Sequence, residues 1–258
     1  MKINFFKYQG AGNDFVIIDN RSQSIQLTTE QVNFLCDRRF GIGADGLMLV
    51  EQAEGYDYRM VYFNADGHES TMCGNGGRCI AAFTHHTGVS GKEQLFIAID
   101  GPHKANILSP DLVSLQMQDV DQVEQSEEAT ILNTGSPHFV KFVQDVATVD
   151  VYSEGKTIRN RDQFQPKGIN VNFAMFTDSG LKVRTYERGV EDETLACGTG
   201  VTAAAIASAT DKTGHITVPV ATLGGMLEVS FDKTDDQHIN NIWLKGPAQL
   251  VFSGTIDI

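Results

Sequence analysis

Met72-Cys73-Gly74-Asn75-Gly76-Gly77-Arg78 and Ala196-Cys197-Gly198-Thr199-Gly200 decide how this chain is read. Each stretch opens on a cysteine, continues in glycine and runs into an apolar segment. A Cys-Gly-x-Gly stretch at the start of a helix sets a thiol beside backbone N–H groups that have no partner inside the helix. Those groups and the helix dipole stabilise negative charge, so they can lower a thiol pKa or hold a carboxylate. Two such sites in one chain suggest two thiols facing one substrate.

Cys197 follows Cys73 by 124 positions, and the same offset sets Tyr62 on Tyr186, Glu69 on Glu193, Phe15-Val16 on Phe139-Val140, and Glu30 and Phe40 on Glu154 and Phe164. A constant offset over most of each half predicts an internal repeat. The expected organisation is a first half over 1–118 plus 247–258 with Cys73, and a second half over 119–246 with Cys197. A cleft between the halves is the expected ligand site, since pockets favour domain interfaces.

Alternation and turn residues predict strands near 2–9, 15–19, 47–51, 58–63, 94–99, 103–108 and 112–117. In the second half strands are expected near 139–143, 169–177, 181–187, 216–220, 226–231, 241–245 and 248–252. Helices are expected from Thr28 or Thr29 to about Arg38, then over 76–87, 156–164 and 200–210. The polar segment 119–128 reads as the linker. The helices after the cysteines are apolar on nearly every face, as buried helices are. The fold class is therefore α+β: two pseudo-symmetric domains, each a mixed, barrel-like sheet wrapped around a central helix.

The 258 residues carry a formal net charge of −13 with 41% hydrophobic residues. That excludes a general nucleic-acid surface and is ordinary for a chain with a core. No basic block or long apolar run marks a membrane partner. The N-terminus lacks the features of a signal peptide, and the chain reads as cytoplasmic. The four cysteines, Cys36, Cys73, Cys79 and Cys197, are then catalytic, metal-binding or buried rather than disulfide-bonded. No Cys-x2-Cys pair exists, which fits zinc poorly, and no metal is expected.

Three chemistries suit the paired thiols. A single nucleophilic thiol needs a base, for which His138 in Ser136-Pro137-His138 is the candidate; the second cysteine is then idle. A dithiol–disulfide pair gives a redox device, although such pairs usually sit close in sequence. Acid–base chemistry on both faces of one carbon uses both cysteines, needs no cofactor and explains the two-fold repeat. Its substrate is an α-amino or α-hydroxy acid whose carboxylate sits on the helix N-termini. Asn64 and Glu187 close strands near the cysteines. Glu187 can pair with a substrate ammonium and Arg188 with a second carboxylate, though a solvated strand end is the commoner fate of such a pair.

Seven motifs, in order along nearly the whole chain, resemble the diaminopimelate epimerase family: Gly12-Asn13-Asp14-Phe15, Gly41-Ile42-Gly43-Ala44-Asp45-Gly46, Phe63-Asn64-Ala65-Asp66-Gly67, Met72 to Cys79, Gly135-Ser136-Pro137-His138, Tyr186-Glu187-Arg188-Gly189 and Ala196 to Gly200. The resemblance implies a cofactor-independent isomerase interconverting LL- and meso-diaminopimelate in lysine and cell-wall precursor synthesis. It also implies a homodimer and a last strand that returns to the first domain. By the family pattern Cys73 and Cys197 are the acid–base pair, and Gly74, Asn75, Gly198 and Thr199 cradle the reacting carboxylate. Asn64 and Glu187 meet the reacting ammonium, while Asn13, Asn170 and Arg188 recognise the distal end.

Three positions depart from the common pattern: Gly46 stands for glutamine, Ser136 for asparagine, and the segment 189–194 is one residue longer. They bear on the distal contacts. The alternatives are a proline or hydroxyproline racemase, whose first motif typically has histidine where Asn75 stands, and a non-catalytic amino-acid-binding or redox-sensing relative.

Overall fold

The computed structural model describes all residues, Met1–Ile258. The chain forms two compact units, Met1–Leu115 with Gly246–Ile258, and Gln116–Lys245. The first segment carries β1 (Lys2–Gly10), β2 (Asn13–Asp19), α1 (Thr29–Cys36), β3 (Gly46–Glu51), β4 (Tyr58–Asn64), α2 (Gly74–His86), β5 (Glu93–Ala98), β6 (Gly101–Ser109) and β7 (Leu112–Gln116). The second unit carries β8 (Val123–Gln125), β9 (Thr130–Asn133), β10 (Pro137–Phe142), α3 (Val151–Arg159), β11 (Asn170–Thr177), β12 (Gly180–Glu187), β13 (Asp192–Thr194), α4 (Gly198–Ala207), β14 (Gly214–Thr222), β15 (Gly225–Lys233) and β16 (Ile239–Pro247). The last strand, β17 (Gln249–Asp257), pairs antiparallel with β1.

In the first unit the pairing runs β17, β1, β2, β3, β4, β5, β6, β7. The β2–β3 and β4–β5 pairs are parallel and the others antiparallel. In the second unit β9, β10, β11, β12, β14, β15 and β16 repeat the order β1 to β7, with β10–β11 and β12–β14 parallel. Each sheet curls around one helix. α2 packs on β1, β2, β3 and β6, and α4 on β10, β11, β12, β14 and β15.

Side chains divide between the two faces of each sheet by the two-residue period of a strand. Phe6 and Tyr8 meet Phe83 of α2, and Phe15 and Met48 lie against the α2 backbone at Gly76. Their neighbours Ile3, Phe5, Val16, Ile18, Leu47 and Leu49 pack outward with Val32 and Leu35 of α1. Burial on both faces is why β2 and β3 hold continuous apolar runs, over residues 15–18 and 47–50, rather than alternating ones. α1 begins at a capping box in which Thr28 and Gln31 exchange side-chain-to-backbone hydrogen bonds.

The structure corrects the sequence reading in three places. The repeat is real, but its offset is not constant. Phe15 faces α2, whereas Phe139 packs outward with Phe164, Val151 and Ile158; Tyr62 lies on Phe15, whereas Tyr186 lies outward on Tyr152. The outward partners of Phe139 and Tyr186 in the first unit are Val16 and Phe63. A slip of one residue flips a side chain to the other face of a sheet, so these two identities are coincidences of letter.

The second correction is to the helix expected over 156–164. It is α3, capped by Asp150, whose side chain accepts from the Ser153 N–H at 3.0 Å; residues Asp162–Phe164 form a separate 3-10 turn. Its buried stripe is Val151, Gly155 and Ile158, and a glycine in the middle hides the apolar period. Third, the segment 119–128 is not a loose linker. Val120 exchanges backbone hydrogen bonds with Ile239, and Val123 pairs with Leu132.

Candidate active site

Both helices after the motifs begin two residues earlier than their apolar runs suggest, and a cysteine is the N-cap of each. Cys73 has extended backbone, and its Sγ accepts from the Gly76 N–H at 3.2 Å. Cys197 is 7% exposed, and its Sγ lies 3.4 Å from Thr199 Oγ1. Neither helix has an acidic residue in its first turn, so no internal carboxylate competes for the N–H groups there. The other two cysteines are buried, with thiols raised by desolvation, Cys36 to about 12 and Cys79 further still. They are inert beside the two caps.

In the first unit the structure joins Asn13 and Asn75 directly, Asn75 Nδ2 donating to Asn13 Oδ1 at 3.3 Å. Asn13 Nδ2 donates to Asp45 at 2.6 Å. Asp45 and Asp14 share Arg38, and Lys7 pairs with Asp14 at 2.8 Å. Burial works to raise Asp14, but its hydrogen bonds and ion pairs with Arg38 and Lys7 outweigh that and hold it well below the carboxylate range. Asn64 ends β4 and opens a turn: its carbonyl accepts from Gly67 and its N–H donates to His68. Gly46 is where a side chain would collide, since an added methyl would lie 2.6 Å from the Tyr62 ring and 2.7 Å from the Phe63 carbonyl.

In the second unit the polar residues form one hydrogen-bonded chain. Asn172 Oδ1 accepts from Thr185, and Asn172 Nδ2 donates to the Phe139 carbonyl and to His138 Nδ1. His138 therefore carries its proton on Nε2 and donates to Ser136 Oγ at 3.0 Å. Ser136 Oγ also accepts from Asn170 at 2.9 Å, and its remaining hydrogen points toward Thr199 Oγ1 at 3.4 Å. Burial, with the Arg188 charge nearby, pushes His138 down to about 3. It is a neutral, fully engaged core histidine.

Asn170 is a brace as much as a contact. Both its N–H groups are used, on Ser136 and the Pro137 carbonyl, and its Oδ1 accepts from the Arg188 N–H. Arg188 and Glu187 are half-buried at the end of β12. The longer 189–194 segment is closed by Glu191, which accepts from Gly189 and pairs with Arg159 at 3.0 Å. Sequence reasoning passed over Asp45, Arg78, Asn172 and Thr199's partner Thr134, whose Oγ1 donates to the Thr199 carbonyl at 2.8 Å. Arg78 had a visible signal: a lone arginine directly before the apolar run 79–83 of α2. No group of three or more His, Cys, Asp or Glu is set to hold a metal, and no helix is long and apolar enough to cross a membrane.

This fold, two repeated mixed sheets each around a central helix, is that of a set of solved proteins. A phenazine biosynthesis protein of the PhzF family from Bacillus anthracis matches with TM-score 0.79 and 15% identity over 100% of both chains. A probable proline racemase from Agrobacterium radiobacter matches with TM-score 0.68 and 13% identity, over 99% of this chain and 92% of that one. The family model for diaminopimelate epimerase matches residues 5–121 and 130–251, and the chain belongs to that family. The diaminopimelate epimerase of Flavobacterium psychrophilum is 50% identical over 98% of this chain and 100% of its own length.

Proposed function

We propose that the chain is a cofactor-independent isomerase that interconverts LL- and meso-diaminopimelate, with Cys73 and Cys197 as its acid–base pair. The observation that carries the reading is that both cysteines cap glycine-opened, buried helices at equivalent places in the two units, in a chain that the family model matches over residues 5–121 and 130–251. One thiolate takes the α-proton and becomes a thiol. The electron pair left on the α-carbon spreads into the carboxylate, and the other thiol returns a proton to the opposite face and becomes the thiolate. Charge is conserved, and the reverse reaction exchanges the roles.

Gly74, Asn75, Gly198 and Thr199 cradle the reacting carboxylate on backbone N–H groups, where negative charge is stabilised as it develops. Asn64 and Glu187 meet the reacting ammonium. Asn13, Asn170 and Arg188 read the distal end, and Asn170 Oδ1 also accepts from the Arg188 N–H. The same family resemblance supports a place in lysine synthesis in the cytoplasm and a homodimer.

The test is proton NMR of LL-diaminopimelate with reduced enzyme in deuterium oxide. The α-proton signal should vanish as the meso form appears. Cys73→Ala and Cys197→Ala should each lose epimerisation by at least about 10²–10⁴-fold, the range of a positioned acid or base. Full turnover by either variant rules out the two-base account.

A further inference from the structure

Arg78 is 0% exposed, yet none of its partners is a carboxylate. Its guanidinium donates to the Gly74 carbonyl at 3.1 Å, to Asn75 Oδ1 at 2.8 Å and to the Pro247 carbonyl at 3.4 Å. A buried arginine without a counter-ion is costly, so its place in the first turns of α2 needs a reason beyond packing. The hydrogen bonds supply one. A guanidinium only donates, so the Asn75 atom facing it must be the amide oxygen. Asn75 Nδ2 is thereby turned to Asn13, which must answer with its own oxygen, and the bond there is 3.3 Å. Asn13 Nδ2 is left for Asp45, which accepts at 2.6 Å and is held on its other oxygen by Arg38 at 2.7 Å. Donation runs one way, from the buried cation through two carboxamides to the anion.

We propose that Arg78 and Asp45 are positioning residues that fix the orientation of the Asn75 and Asn13 carboxamides from opposite ends. A carboxamide flipped by half a turn exchanges donor for acceptor, and both orientations fit the same space. The charged ends remove that ambiguity, so Asn13 meets a ligand with its donor and acceptor edges already assigned. Pre-organisation of this kind lowers the cost of binding. The same guanidinium grips the Pro247 carbonyl, tying the start of the returning segment Gly246–Ile258 to α2. The inference rests on the reading of Asn13 and Asn75 as substrate contacts, and its test has an arm independent of that reading.

That arm is the side-chain amide spectrum of the ligand-free protein labelled with ¹⁵N-asparagine, the Asn13 and Asn75 signals assigned with Asn13→Ser and Asn75→Ser. Arg78→Met should move both pairs of signals. Asp45→Asn should move them from the far end, Asn13 more than Asn75, and Arg78→Lys should leave them nearer their original positions. Asn13 signals unmoved in folded Arg78→Met, or unmoved in Asp45→Asn should Arg78→Met not fold, overturn the proposal. The second arm is kinetic. Loss of a hydrogen bond to a charged group should lower kcat/KM for diaminopimelate about tenfold, chiefly in KM. The double variant Arg78→Met/Asn13→Ala should then lose no more than Asn13→Ala alone; losses that multiply mean Arg78 does not act through Asn13. Wild-type protein inactive on diaminopimelate would sink the substrate reading while leaving the spectra to decide the positioning.

Discussion

His138 shows how much one residue's surroundings decide. In sequence it is a histidine in the turn Ser136-Pro137-His138, a natural candidate for a base. In the structure burial and the Arg188 charge keep it neutral, pushed down to about 3, and Asn172 fixes which nitrogen carries the proton. An ordinary histidine titrates near 6.5. Between about pH 6.5 and 3 the unfolded chain thus binds a proton the folded chain refuses, so stability falls as pH drops through that window. Replacing His138 by Gln, which can keep the bond to Ser136, should flatten the fall in Tm across that window relative to wild type. A wild-type Tm independent of pH there would contradict the buried neutral state. The two cysteines were legible because glycine and thiol in one short stretch carry their chemistry locally. His138, Asn172 and Arg78 were not, because their roles come from partners far along the chain.

At the scale of elements, the central helices were plain in sequence and α3 was displaced, and glycine explains both outcomes. Cys-Gly openings announce the starts of α2 and α4. Gly155 instead sits in the buried stripe of α3, where a methyl group would lie 2.4 Å from Tyr186 Cβ. The helix can approach β12 only because nothing projects there. On an exposed helix Gly→Ala stabilises by up to about 1 kcal/mol. At Gly155 overpacking costs about 1–3 kcal/mol, so Gly155→Ala should be destabilising on balance. Urea unfolding should show a lower midpoint with an unchanged slope. A midpoint at or above wild type would mean that α3 shifts freely on the sheet. Gly200 has the same character: a methyl there would lie 2.3 Å from Asn172 Oδ1, the atom that fixes the His138 chain.

For the whole molecule the repeat was readable, but its meaning was topological rather than letter by letter. Both units use one strand order with parallel pairs at the same two places, while Phe15 and Phe139 share an offset and face opposite ways. Topology tolerates a one-residue slip in a strand when the cores on both faces are apolar, because either neighbour can fill either side. The units differ in continuity. The second is one uninterrupted segment, Gln116–Lys245, with its own buried cluster around Phe139, Val151, Phe173 and Tyr186. The first is closed only by β17, which pairs with β1 from Lys2 to Gln9 and places Ile256 against the α1 cluster. Residues 116–245 alone should therefore fold with a cooperative urea transition, whereas residues 1–115 alone should not. Adding a separate peptide of residues 246–258 should rescue the shorter fragment, seen as new dispersed amide signals and a recovered transition. A fragment of residues 1–115 that folds cooperatively without the peptide would show that β17 covers the unit without completing it.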